Sequence, residues 1–144
     1  MSAVIESNHD DHHHGPAKGF SRWLYTTNHK DIGSMYLWFS LVMLFVGGAM
    51  AMVIRAELFE PGSQIVSPEF YNQMVTNHGL IMVFGVIMPA FVGFANWMIP
   101  MQIGAPDMAL PRLNNLSFWI LPAAFGILLS TFFMEGGAPN FGWT

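Results

Sequence analysis

Residues 32–54, IGSMYLWFSLVMLFVGGAMAMVI, carry no charge. Roughly two dozen residues at about 1.5 Å each are enough to cross a hydrocarbon core of about 30 Å. A second uncharged stretch runs from Phe70 to Pro106 and is longer than one crossing needs; its spanning helix is expected at about Val75 to Ile99, with loop on either side. A third, residues 113–134, ends at Glu135-Gly136-Gly137. Over the whole chain 53% of residues are apolar and 10% charged, a balance that calls for lipid around the protein. The expected fold is therefore all-α: a polytopic membrane bundle with three transmembrane helices, about 32–54, 75–99 and 113–134, in one membrane domain over residues 20–144.

Residues 1–19 contrast with these spans. They are polar, rich in His and Asp, and closed by Gly15-Pro16 and Gly19, so they bury too little to offset their ordering entropy and read as a flexible cytoplasmic tail. His12, His13 and His14 beside Asp10 and Asp11 could hold a transition metal, although a solvated tail is the plainer reading. The tail lacks the basic-then-apolar order of a secretory leader, which leaves the first span as its own insertion signal. The net charge of −4 includes no basic run that would track phosphates, so nucleic acid is not an expected partner. The absence of Cys excludes disulfides and thiolate metal ligands within the chain. Lys18, Arg22 and Lys30 precede the first span and Arg112 lies between the second and third, whereas the intervening loop offers only Arg55. By the positive-inside bias the N-terminus faces the cytoplasm.

His78 is the only His in an apolar span, and a polar ring at that depth must find a partner. It either bridges helices or binds a metal; Gly79, Met82 and Gly85 beside it extend a smooth face that would suit a macrocycle held by imidazole. Arg55, at the outer end of the first span, either snorkels or donates to the polar edge of a buried cofactor. Glu57, Glu60 and the turn at Pro61-Gly62 supply oxygens that suit a surface ion pair or Ca²⁺ or Na⁺. Asp107 lies between the second and third spans, with Asn96 inside the end of one and Asn114 and Asn115 at the start of the other. These residues could order water for proton entry, or Asp107 could be a turn residue with Asn114 or Asn115 as a helix cap. Trp143 reads as an interfacial belt residue, like Trp23 and Trp97 at the other face, or as a donor to a carboxylate. Pro89 and Pro122 interrupt spans, and neighbouring helices must repair the freed backbone groups. Gly47, Gly48, Ala49, Gly79, Gly85 and Gly93 allow either helices or a flat cofactor to come close.

Together, TTNHKDIG (26–33), IRAEL with a following PG (54–62), NHGLIMVF (77–84), MPAFVGFANWMIPMQIGAPDMALPRLNN (88–115), SFW (117–119) and GWT (142–144) resemble subunit I of the haem-copper oxygen reductases. The resemblance covers everything after the tail and about the first quarter of that family's length. It implies that His78 is an axial ligand of a low-spin haem, expected to be haem a, and that Arg55 donates to its formyl group. Glu57, Glu60, Gly62 and Gln64 match an outer Ca²⁺ or Na⁺ site. Asp107 matches the mouth of a proton pathway continued by Asn96, Asn114 and Tyr36, and Trp143 matches a Trp that meets a propionate of the oxygen-binding haem. The ligands of that haem and of copper B belong to later helices. The implied reaction is reduction of O₂ to water by ferrocytochrome c, coupled to proton pumping, in a bacterial plasma membrane with subunits II and III as companions. Pro106 and Glu57 favour the cytochrome c branch over quinol oxidases. A non-enzymatic three-helix membrane subunit is the competing class; it would show no dependence on haem.

Overall fold

The computed structural model describes residues 19–62 and 65–139. A short helix α1 (Phe20–Tyr25) precedes three long ones: α2 (His29–Glu57), α3 (Pro68–Ile103) and α4 (Pro111–Ser130), the last tightened into a 3₁₀ turn over Thr131–Phe133. The three long helices are each long and apolar enough to cross a membrane, and the described residues contain no strand. The all-α membrane bundle expected from the sequence is what forms.

Each spanning helix starts or ends outside the uncharged stretch that revealed it. In α2 the side chain of Asn28 accepts from the Lys30 N–H, so the helix begins at His29 and carries Lys30 and Asp31 in its first turn and Arg55 and Glu57 in its last. Ser67 caps α3 by accepting from the Phe70 N–H, with Pro68 at the first helical position. At the far end Gly104, at φ 70°, adopts the left-handed conformation and Ala105 N–H reaches back to the Pro100 carbonyl at 2.9 Å, a glycine-based helix stop. The second helix is thus longer than the 75–99 expected: its ends are polar but still helical. The suggestion that Asn114 or Asn115 caps the third span is overturned. Leu110 occupies the cap without a side-chain bond, and Pro111, whose fixed φ suits a first helical residue, opens α4 one turn earlier. The helix α1 was not anticipated; it lies against the start of α2 through Arg22, whose guanidinium pairs with Asp31 at 3.0 Å, while Thr26 Oγ1 donates to the same carboxylate at 3.2 Å.

Pro89 removes an N–H from the middle of α3, and the helix answers by widening. Residues Ile81–Ile87 form π turns, and the Met88 N–H bonds the Val83 carbonyl five residues back. In the same turn Ser40 Oγ of α2 donates to the Val86 carbonyl at 2.8 Å, so a neighbouring helix does supply a bond at the proline break.

Helices α2 and α3 pack closely through glycines. A Cβ placed on Gly33 would stand 2.8 Å from the Trp97 ring and 2.9 Å from the Gly93 carbonyl, and one on Gly93 would stand 3.0 Å from the Gly33 carbonyl. Further along, a Cβ on Gly47 would meet Met82 Sδ at 2.8 Å, whereas Gly48 faces open space. Helix α4 joins through Phe118 and Phe125, which stack edge-on against Tyr36 and Phe39 of α2. Two small buried clusters result, one around Ile32, Met35, Tyr36 and Phe118 and one around Met43, Met50, Met74, Ile81 and Phe125.

Because backbone carbonyls cannot yield as a flexible side chain can, Gly33→Ala or Gly93→Ala should destabilise the bundle by about 1–3 kcal/mol. Gly48→Ala should be neutral. Thermal unfolding of the three variants in one detergent checks this, and equal midpoints would remove the seam from the explanation.

Candidate functional site

Two groups of polar side chains hang on the α2–α3 seam, one toward each end. At the end nearer the α2–α3 loop, His78 projects from α3 toward α2 and its Nδ1 lies 2.9 Å from the Gly47 carbonyl. A carbonyl only accepts, so Nδ1 carries the proton and Nε2 keeps a lone pair, the state in which an imidazole binds a metal. Nε2 has no hydrogen bond among the described residues, and the ring is half-buried. The bare faces of Gly47 and Gly48 serve different ends: Gly47 lets the seam close over Met82 and lends its carbonyl, and Gly48 leaves an open surface one residue on. One nitrogen of His78 thus bridges the helices, and the other has no hydrogen bond among the described residues.

Arg55 is exposed in the last turn of α2. Glu57 is buried at 5% exposure, and its Oε2 accepts from the Ile65 and Val66 N–H groups at 2.9 and 3.0 Å. The carboxylate thus folds the α2–α3 loop back onto the helix end. Glu60 is exposed, and Gly62 turns the chain at φ 103°. No group of three or more His, Cys, Asp or Glu side chains gathers for a metal among the described residues. Gln64 and Trp143 lie outside the described residues, as do His12, His13 and His14.

At the opposite end, Asp107 Oδ1 accepts from the His29 N–H at 3.2 Å and from the Met108 N–H at 2.8 Å, so it ties the α3–α4 loop to the start of α2 and is a turn residue as well. His29, buried, places Nδ1 2.9 Å from the Asn96 carbonyl. Asn96, at 3% exposure, accepts on its Oδ1 from Asn114 Nδ2 at 2.6 Å. The Ser117 hydroxyl donates to the Asn114 carbonyl at 2.6 Å and lies 2.7 Å from the Tyr36 hydroxyl. Asp107, Asn96, Asn114 and Tyr36 thus fall on one connected file with His29 and Ser117.

Sequence reasoning missed both of those last two. His29 stands beside charged residues at the helix start, and its position directly after the capping Asn28 was the only signal. Ser117 was hidden in an apolar run, although it sits three residues after Asn114, on the same helix face. Trp97, read as a belt residue, donates from Nε1 to Ser34 Oγ at 3.0 Å with Lys30 over its ring, so it is also part of the seam.

A bundle of three helices each long and apolar enough to cross a membrane, with an imidazole near one end of the seam and a hydrogen-bonded file of amides and hydroxyls at the other, defines an integral membrane protein. Residues 31–144 match the family described as cytochrome C and quinol oxidase polypeptide I, and the chain belongs to that family. It is 50% identical over 132 residues to cytochrome c oxidase subunit 1 of Corynebacterium diphtheriae, covering 90% of this chain and 23% of the relative. It is 48% identical to the probable cytochrome c oxidase subunit 1-alpha of Streptomyces coelicolor, over 89% of this chain and 22% of that protein. A heme-copper oxidase subunit I+III of Aeropyrum pernix is 46% identical over 85% of this chain and 15% of its own length. The chain thus spans less than a quarter of the length of these curated relatives.

Glu57→Ala would leave two loop N–H groups without their acceptor, at a cost of about 1–3 kcal/mol. Hydrogen exchange at the Ile65 and Val66 amides should accelerate correspondingly; unchanged protection would mean that the loop is held by something else.

Proposed function

We propose that this chain is the portion of a proton-coupled terminal oxidase subunit that supplies one axial ligand of a low-spin haem and the entrance of a proton pathway. The observation that carries the proposal is the polar file from Asp107 to Tyr36 on the same seam as His78. Of its six residues His29, Asn96 and Tyr36 are buried, Asp107 and Asn114 are half-buried and Ser117 is exposed, and polar side chains kept inside membrane-spanning helices mark ion or proton paths. The reduction of O₂ to water, the oxygen-binding haem and copper B belong to the whole subunit.

The residues present fit a haem. His78 is fixed as its Nδ1–H tautomer by the Gly47 carbonyl, and so would offer Nε2 to iron. Arg55, exposed at the helix end, has a side chain long enough to donate to a polar edge of the macrocycle. When bound, such a haem takes up and passes on one electron at a time. The chain's own contribution is to orient the ligand, and the bond from Nδ1 to a backbone carbonyl also raises its basicity.

At the other end Asp107 is the proton-accepting group. The amides of Asn96 and Asn114 do not themselves titrate; they order water between Asp107 and the hydroxyls of Ser117 and Tyr36, which can pass protons. His29, held by Nδ1 to Asn96, keeps the mouth in register. We read this end as cytoplasmic, in a bacterial plasma membrane, on the distribution of Lys18, Arg22, Lys30 and Arg112. The names of the bacterial relatives favour cytochrome c as electron donor, and Glu57 and Pro106 agree with that branch. Subunits II and III follow as companions. An outer Ca²⁺ or Na⁺ at Glu57 and Glu60 would have to share the Glu57 carboxylate with the loop N–H groups it already serves.

Two substitutions in the complete oxidase separate the halves of this reading. His78→Ala should abolish the low-spin haem band in a reduced-minus-oxidised spectrum while protein is still made. Asp107→Asn should leave that band intact and lower steady-state O₂ reduction at least roughly tenfold, by starving the pathway of protons. An unchanged spectrum in the first would sink the ligand assignment, and full turnover in the second would sink the entrance.

A further inference from the structure

Gly33, Ser40 and Gly47 follow one another on α2 at intervals of seven. Seven residues make nearly two turns of an α-helix, so the three lie on one face. Each meets α3. A Cβ on Gly33 would stand 2.9 Å from the Gly93 carbonyl, Ser40 Oγ donates to the Val86 carbonyl at 2.8 Å, and His78 Nδ1 donates to the Gly47 carbonyl at 2.9 Å. The intervals on α3 do not match these: Gly93 to Val86 is seven residues, but Val86 to His78 is eight. At about 100° per residue, a regular helix would put Gly79 on that line and His78 roughly 80° away from it. The extra residue is taken up by the π turns over Ile81–Ile87, which close on the fifth residue back and so hold more residues per turn.

The buried stripe of α3 carries the same adjustment. Asn77, Ile81, Gly85, Pro89 and Gly93 are buried at intervals of four. That line would wind roughly 160° around a regular helix. Outside it the shorter interval of three returns, from Met74 to Asn77 and from Gly93 to Asn96. Pro89 accounts for a break in α3, since it lacks an N–H, but a proline is met by a simple kink as readily as by a wide turn. Ser40, buried at 6% exposure, supplies a second constraint, because its hydroxyl engages a carbonyl inside the wide segment.

We propose that Ser40 is a positioning residue for the haem-ligating imidazole. By holding Val86 it keeps the extra residue between Val86 and His78, and with it the register in which Nδ1 meets the Gly47 carbonyl. This rests on the haem reading of His78 and adds to it a residue that acts through the backbone of α3. Loss of the Ser40 donor lets the segment before the wide turns rotate toward the regular register, which weakens the bond from Nδ1. An imidazole bonded less strongly at Nδ1 donates less to iron, so the ferric state loses stability and the haem becomes easier to reduce.

Redox titration of the low-spin haem in the complete purified oxidase tests this, with hydrogen exchange at the Met88 amide as a reading that does not involve the haem. In Ser40→Ala the ratio of reduced to oxidised haem at a fixed potential should rise about threefold, the loss of one modest hydrogen bond. Exchange at Met88, whose N–H closes a wide turn on the Val83 carbonyl, should accelerate as well. Ser40→Thr, which keeps the hydroxyl, should restore both readings. Ser34→Ala removes another hydrogen bond of the seam, from Trp97 on the far side of the wide turns, and should leave the potential unchanged. Pro89→Ala returns the N–H and permits a regular turn; it should shift the potential in the same direction as Ser40→Ala, and it decides the question if Ser40→Ala fails to assemble. An unchanged potential in Ser40→Ala, or an equal shift in Ser34→Ala, would overturn the proposal. If His78→Ala keeps the low-spin band, the haem reading fails and this one with it; if that band is lost while Ser40→Ala leaves the potential unmoved, only the positioning role fails.

Discussion

The close approach of Gly33 to Gly93 is the constraint on which the rest of the protein depends. With no Cβ on either residue, two helix backbones meet where an added Cβ would stand within 3.0 Å of the opposite carbonyl, and the polar contacts between α2 and α3 flank that meeting. His29 reaches the Asn96 carbonyl, Trp97 reaches Ser34, Ser40 reaches the Val86 carbonyl and His78 reaches the Gly47 carbonyl, four side-chain bonds across one seam. In hydrocarbon there is no general hydrophobic force between helices, so such packing and hydrogen bonding must hold them together. Each bond is also a polar group satisfied inside the protein, where lipid could not have satisfied it.

The spanning helices were legible because lipid imposes a simple rule, no charge over a sufficient length, and α2, α3 and α4 obey it. Their ends were not legible from that rule. Lys30, Asp31, Arg55 and Glu57 are helical although charged, because helix ends reach past the hydrocarbon; Asn28, Ser67 and Gly104 set the ends by capping and left-handed geometry, which charge counting ignores. The π turns before Pro89 could be expected only as some repair of a missing N–H, since which neighbour would supply Ser40 depends on the packing.

Among site residues, His78, Asp107, Asn96 and Asn114 were visible as polar groups out of place in apolar surroundings. Tyr36 was visible only by resemblance, because a Tyr in a greasy span is unremarkable until its hydroxyl is found against Ser117. His29 shows the converse difficulty. Its neighbours in sequence are charged and exposed, yet the loop that carries Asp107 folds over it, and burial created by a distant segment leaves no local trace.

The two imidazoles of the seam are reciprocal. His78, from α3, donates to a carbonyl of α2; His29, from α2, faces a carbonyl of α3. In each case the backbone oxygen can only accept, so both rings carry their proton on Nδ1 and both keep Nε2 unprotonated when neutral. A ring tied by a rotatable side-chain partner could change tautomer at little cost, but one tied to a helix carbonyl cannot without breaking the bond. The glycine contact therefore does more than join helices. By fixing which carbonyl each ring meets, it fixes the chemical state of the nitrogen that each ring presents elsewhere. At Gly47 the missing side chain makes room for Met82 and Ile81 of the facing helix, beside the carbonyl that His78 meets.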